Sequence, residues 1–166
     1  MSTISGRLNA LKAEIPPHVT LVAVSKTHAV DRIQEAYDAG QRDFGENRVQ
    51  ELESKVHALP EDIRWHLIGH LQRNKVKFIA PYVHMIHSVD SWALLQEIDK
   101  QAAKCNRNIA CLLQVHIAEE ETKFGLSEEE LFGVLNKLKS SPLHHITLCG
   151  LMGMATLSDN SAQVRN

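Results

Sequence analysis

Lys26 closes the run Leu21-Val22-Ala23-Val24-Ser25-Lys26-Thr27. A short, valine-rich apolar stretch fits a buried parallel strand. Such a strand packs the lysine stem and aims the amine at whatever lies above the sheet. Desolvation disfavours an ammonium ion and lowers a lysine pKa. A neutral amine is what attacks a carbonyl carbon to form a Schiff base. The competing reading is a strand-end lysine with its amine in water, the ordinary state of lysine. Asn47, His66, Ser88 and Met152 stand at or near the ends of other strand-like runs. In α/β folds the carboxyl edge of the sheet carries the site.

The elements that must position these residues alternate along the chain. Ile4, Leu8, Leu11 and Ile15 recur at helical spacing from about Thr3 to Ile15, and Pro16-Pro17 stops that helix. After the Lys26 strand, a helix from about Val30 to Ala39 shows Ile33, Ala36 and Tyr37 on one face, with Gly40 placed for a left-handed cap. Asp43–Asn47 reads as a second strand, and a helix from about Arg48 to Ala58 buries Val49, Leu52 and Val56. Trp65–Gly69 is a third strand, followed by a basic helix from about Arg73 to Ala80. Val83–Val89 is a fourth strand; Asp90 or Ser91 caps a helix that packs Leu94, Leu95, Ile98 and Ala102. Residues 109–117 form a fifth strand. Ser127-Glu128-Glu129-Glu130 is a capping box opening a helix that buries Leu131, Val134, Leu135 and Leu138. The sixth strand runs from about Thr147 to Met154. Alternation of this kind implies a parallel sheet with helical crossovers.

Composition excludes several function classes. The 166 residues are 43% hydrophobic and 23% charged, ordinary for one globular domain. A net charge of −2 argues against a sequence-independent nucleic-acid binder. Trp65 and Trp92 are too few for a base-stacking platform and read as packing residues. No apolar run approaches the roughly 20 residues that span a bilayer, and the N-terminus lacks a secretory apolar core. Cys105, Cys111 and Cys149 form no CxxC pair, so a reducing cytoplasm is expected, with all three read as small buried hydrophobes. Of the ten histidines, His66 and His70 are four apart, and His84 and His87 three apart. Those spacings pair ligands on a helix, not in strands, so no metal site is expected. Arg73, Lys75 and Lys77, like Glu119-Glu120-Glu121, read as solvated charge.

Five segments in register carry a family resemblance: Val22–Thr27, Phe44–Glu51, Trp65–Gln72, His87–Asp90 and Gly150–Met154. Together they resemble the pyridoxal phosphate homeostasis proteins, the YggS/PROSC family, over essentially the whole chain. The resemblance implies a (β/α)₈ TIM-barrel type of fold, the fold-type III arrangement of the alanine racemase N-terminal domain. It implies pyridoxal 5′-phosphate (PLP) held as a Schiff base on Lys26. Asn47, His66, Ser88 and Met152 would line the ring pocket. It further implies a cytoplasmic, monomeric carrier in PLP homeostasis without robust catalysis, whose partners are PLP and apo PLP enzymes, not nucleic acid or membrane.

Two departures stand out. The family's Gln-Val-Asn in the fifth strand is Gln114-Val115-His116 here. A (β/α)₈ barrel usually takes about 250 residues, whereas only six of eight strands are read here. The expectation is a single, C-terminally incomplete barrel domain over 1–166, lacking the family's phosphate-binding segment and open at both edge strands. Edge pairing into a dimer is then an alternative to the monomer. Two alternatives to a carrier stay open: a racemase-type PLP enzyme, or a fragment with impaired PLP binding. The first needs an opposing tyrosine, and only Tyr37 and Tyr82 exist, both read as away from the strand ends.

Overall fold

The computed structural model describes residues 3–117 and 124–153. Its elements are α1 (Ile4–Glu14), β1 (Ala23–Val24), α2 (Val30–Asp38), β2 (Asp43–Glu46), α3 (Val49–Val56), β3 (Arg64–Leu67), a 3₁₀ turn at Arg73–Lys75 leading into α4 (Val76–Ile79), β4 (Val83–Val89), α5 (Trp92–Lys104), β5 (Ile109–Val115), α6 (Glu128–Ser140) and β6 (Ile146–Gly153). The six strands form one sheet in the order β1-β2-β3-β4-β5-β6, and every neighbouring pair is parallel. A doubly wound sheet reverses its strand order at a switch point; this one does not. Right-handed crossovers repeated in one direction place the helices on one face. That is the winding of a (β/α) barrel wall.

The register sorts residues between the two faces. Phe44 stands opposite Trp65, Trp65 opposite Val83, and Leu67 opposite Ile86. All are buried, and they pack with Ile33, Leu52, Ile79, Leu95 and Ile98 from the helices. Phe44 and Trp65 meet with ring centroids 6.0 Å apart, so Trp65 packs between layers as expected. The alternate row is Val24, Gly45, His66 and Met85. Val24 on that row is 51% exposed, so this face is open at the β1 edge.

Local signals in the sequence are realised at the helix ends. Gly40 takes φ +90 and its N–H reaches the Tyr37 carbonyl. Ser91, not Asp90, caps α5 by accepting from the Leu94 amide. Ser127 and Glu130 form the reciprocal capping box of α6.

Four expectations need correction. The Lys26 strand pairs over two residues only, because Gln41 Nε2 donates to the Leu21 carbonyl (2.7 Å) where a ladder bond would stand. The basic helix opens as a 3₁₀ turn, since Arg73 and Lys75 put positive charge at the positive end of the helix dipole. β5 ends at Val115, so His116 follows the strand, its amide donating to the Leu126 carbonyl. Cys111 is buried as read, but Cys105 is only half-buried and Cys149 is exposed. Glu119–Glu121 and Met154 lie outside the described residues. Among the described residues no helix is long and apolar enough to cross a membrane.

Candidate functional site at the carboxyl edge of the sheet

Lys26 stands two residues past Val24, and Asn47 two past Gly45. Val24 and Gly45 are register partners, so Lys26 and Asn47 lie just past the ends of adjacent strands at the same level. Ser88 and Met152 are the penultimate residues of β4 and β6. Four of the five sequence candidates therefore share the carboxyl edge. His66 does not quite reach it. It pairs with Gly45, two residues below the level of Asn47.

Lys26 is exposed. The packed, desolvated lysine expected from its place in an apolar run is thus not what the chain forms. The short β1 is the reason, for Ser25 makes the last backbone bond to β2, at the Gly45 carbonyl (2.9 Å), and Lys26 lies beyond it. Thr27, next to it, has φ +66. A β-branched residue in the left-handed region is a backbone outlier that persists only when its surroundings impose it.

Asn47 and Ser88 are tied together through Gly69. The Ser88 hydroxyl, 1% exposed, donates to the Gly69 carbonyl at 2.6 Å. A Cβ on Gly69 would lie 2.4 Å from the Asn47 carbonyl oxygen and 2.8 Å from its Cα. Only glycine lets the loop after β3 lie against the backbone of Asn47. Gly69→Ala is expected to cost about 1–3 kcal/mol of stability by overpacking and to push Asn47 off the edge. Urea unfolding checks this; a loss below ~0.5 kcal/mol, within the scatter of neutral surface changes, would contradict the tight approach.

His66 is engaged on both ring nitrogens. Nε2 lies 3.0 Å from Asp43 Oδ1, and Nδ1 lies 2.8 Å from His87 Nε2. Burial pushes Asp43 upward, but hydrogen bonds from Arg64 and His66 outweigh it and hold the carboxyl below its ordinary range. An ionised carboxylate only accepts, so His66 donates from Nε2 and accepts from His87 at Nδ1. Burial keeps His66 below the usual imidazole range despite Asp43, and drives His87 down to about 4. The row Arg64–Asp43–His66–His87 is a neutral-imidazole chain anchored on one ion pair. Toward a ligand, His66 has only its ring face to offer. Spacing along the chain could not reveal this group, because its members meet across three strands.

A second polar group, under α3, was also missed. Glu46, fully buried, accepts at Oε1 from Lys55 Nζ (2.7 Å) and from the Ser25 hydroxyl (2.6 Å). Lys55 Nζ also donates to the Ser25 carbonyl (2.9 Å) and to Glu51 Oε1 (2.8 Å). Glu51 Oε1 in turn accepts from the Thr27 amide. The Lys55 ammonium holds the Glu51 carboxyl below its ordinary range. One signal could have found it: Lys55 falls three residues after Leu52, on the buried stripe of α3.

Among the described residues no group of three or more His, Cys, Asp or Glu side chains is arranged to hold a metal ion. Cavities of about 320 Å³ (Pro16, Gln41, Arg64) and 410 Å³ (Leu59, Trp65, Tyr82) lie away from Lys26, whereas one of about 240 Å³ is lined by Val24, Ser25 and His28 beside it.

The alanine racemase N-terminal domain model matches residues 1–166. The pyridoxal phosphate homeostasis protein of Synechocystis sp. is 42% identical over 147 residues, 87% of this chain and 66% of its own length. That of Schizosaccharomyces pombe is 32% identical over 173 residues, 100% of this chain and 72% of its own. The chain spans about two thirds of the length of these relatives. PipY of Synechococcus elongatus, 41% identical, superposes with a TM-score of 0.91 without PLP and 0.87 with PLP bound, over 98% of this chain and 75% of PipY. An alanine racemase from Clostridium difficile, 16% identical, shares the fold with a TM-score of 0.71, over 93% of this chain and 41% of that one. Sequential parallel strands, a lysine at the first carboxyl end and matches along the entire chain lead to one assignment: the chain belongs to the pyridoxal phosphate homeostasis proteins, built on the alanine racemase N-terminal domain.

Proposed function

We propose that this chain, as a single domain over 1–166, holds PLP covalently through Lys26 and acts in cytoplasmic PLP homeostasis. The observation that carries the reading is an exposed primary amine at the carboxyl edge of a singly wound parallel sheet. The family assignment and the PLP-bound PipY structure support it. PLP supplies an aldehyde. The amine of Lys26 would hold that carbon reversibly, with water leaving on binding and returning on release. An amine that solvent can reach suits that exchange. Asn47, Ser88 and Met152, at the same sheet edge, and His66, one level lower, are the residues that would line the PLP ring. Reversible covalent holding keeps free aldehyde scarce and transferable to apo PLP enzymes.

A carrier fits better than a racemase-type enzyme. Proton transfer on the far face of a bound ring needs an opposing acid or base. The Tyr37 hydroxyl donates to Asp62 from α2. Tyr82 precedes β4, at the other end of the sheet, packed edge-on to His57. Neither tyrosine reaches the Lys26 edge.

Titration with PLP is expected to give a protein-bound visible absorption band that Lys26→Ala abolishes, while the variant keeps the circular dichroism of the parent. A band of equal strength in Lys26→Ala would overturn the assignment.

A further inference from the structure

We infer that Glu51, Lys55 and Glu46 form a buried brace that fixes the backbone on both sides of Lys26 and so sets where its amine stands. The inference rests on the reading of Lys26 as the covalent anchor. β1 ends at Val24 and the sheet reaches only as far as Ser25, whose amide donates to the Gly45 carbonyl (2.9 Å), so the strand does not hold the Thr27 side of Lys26. Lys26 itself is exposed, so its own packing does not hold it. Its two neighbours, in contrast, are both held from the helix side, Ser25 in addition to its bond to β2.

Ser25 points to that side and is 4% exposed. Its hydroxyl donates to Glu46, and its carbonyl accepts from Lys55. Thr27 donates its amide to Glu51 while held in the left-handed region. Every one of these bonds passes through the Lys55 ammonium or through a carboxylate that contacts it. Lys26, exposed, is thus clamped between two residues that the brace holds. Charge-assisted bonds in a buried setting are strong and directional, as a positioning element requires. Glu51, Lys55 and Glu46 act through Ser25 and Thr27 and touch no reacting atom.

Glu51 is the residue to test, because its side chain is 24% exposed and removing it leaves the Glu46–Lys55 pair intact. Glu51→Gln keeps an acceptor for the Thr27 amide; Glu51→Leu does not. Amide hydrogen exchange on the full chain without PLP reads the brace directly. Losing one such bond is expected to speed Thr27 exchange roughly tenfold in Glu51→Leu, with α5 and β4 amides unchanged and Glu51→Gln close to the parent. PLP titration by visible absorption reads the consequence: apparent affinity falls roughly tenfold in Glu51→Leu, by the same loss, and recovers in Glu51→Gln. Unchanged Thr27 exchange, or a uniform rise across all amides, overturns the brace. Local Thr27 release with undiminished PLP affinity overturns its positioning role. If the parent chain itself gives no Lys26-dependent band, the anchor reading falls and the positioning role with it, a result separate from the exchange outcome.

Discussion

Lys55→Met is expected to lower the unfolding free energy by about 3–5 kcal/mol, the usual cost of removing one partner from a buried ion pair. The reason lies in Glu46. Its side chain has no exposed surface, and Lys55 Nζ at 2.7 Å supplies its counter-charge. Without that ammonium the carboxylate is left in the helix–sheet layer with the Ser25 hydroxyl as its remaining donor. The Ser25 carbonyl loses its side-chain donor in the same step. The double variant Glu46→Leu/Lys55→Met is expected to recover most of the loss, because apolar replacement of a whole buried pair is often neutral or better. Urea unfolding of the two variants distinguishes a buried charge from simple loss of the lysine stem. If the double variant is as unstable as Lys55→Met alone, stem packing is what counts and the ion pair is incidental.

The histidine row makes stability depend on pH. Burial, with the charge of His66 as a second cause, drives the folded His87 down to about 4, and burial also depresses His66 and His84. In the unfolded chain these rings titrate near the ordinary value of about 6.5. Between those limits the unfolded state binds more protons than the folded one, so stability rises with pH there. The contribution is complete above about pH 6.5 and is lost as the pH falls toward about 4. Full desolvation would make the His87 shift worth about 3 kcal/mol. Its ring keeps part of its hydration, so a loss of roughly 1–2 kcal/mol between about pH 7.5 and 4.5 is expected. Asp43 acts in the same direction but in a lower window, since its depressed pKa lets it stay ionised until the pH falls below the usual carboxylate range. Urea midpoints across this range should fall with acid, and His87→Gln should flatten the profile. A midpoint that holds steady or rises from pH 7 to 5 would contradict neutral buried imidazoles.

Elements were more legible in the sequence than the ties between them. Ile109–Val115 and the capped helices are readable because their signals are local: an apolar run of strand length, Ser91 before Leu94, Ser127 before Glu130. The first strand was over-read. Leu21 and Val22 are apolar, but the carbonyl of Leu21 is satisfied by the Gln41 side chain, 20 residues away. No propensity argument sees such a bond. The level shared by Lys26 and Asn47 followed from placing both at strand ends. The depth of His66, one pleat lower and already bonded at both nitrogens, did not, because register decides it. The brace joins Lys55 to Ser25 across 30 residues. Its sole trace in the sequence is a lysine on the apolar stripe of α3.

The most direct test of Lys26 as the covalent anchor is reductive trapping. The chain is incubated with PLP, treated with borohydride, digested and analysed by tandem mass spectrometry. A stable phosphopyridoxyl adduct is predicted on the peptide containing Lys26, at high occupancy and ahead of every other lysine, including the exposed Lys12, Lys77 and Lys104. Adducts spread over those surface lysines, with Lys26 modified no more than they are, would contradict the account.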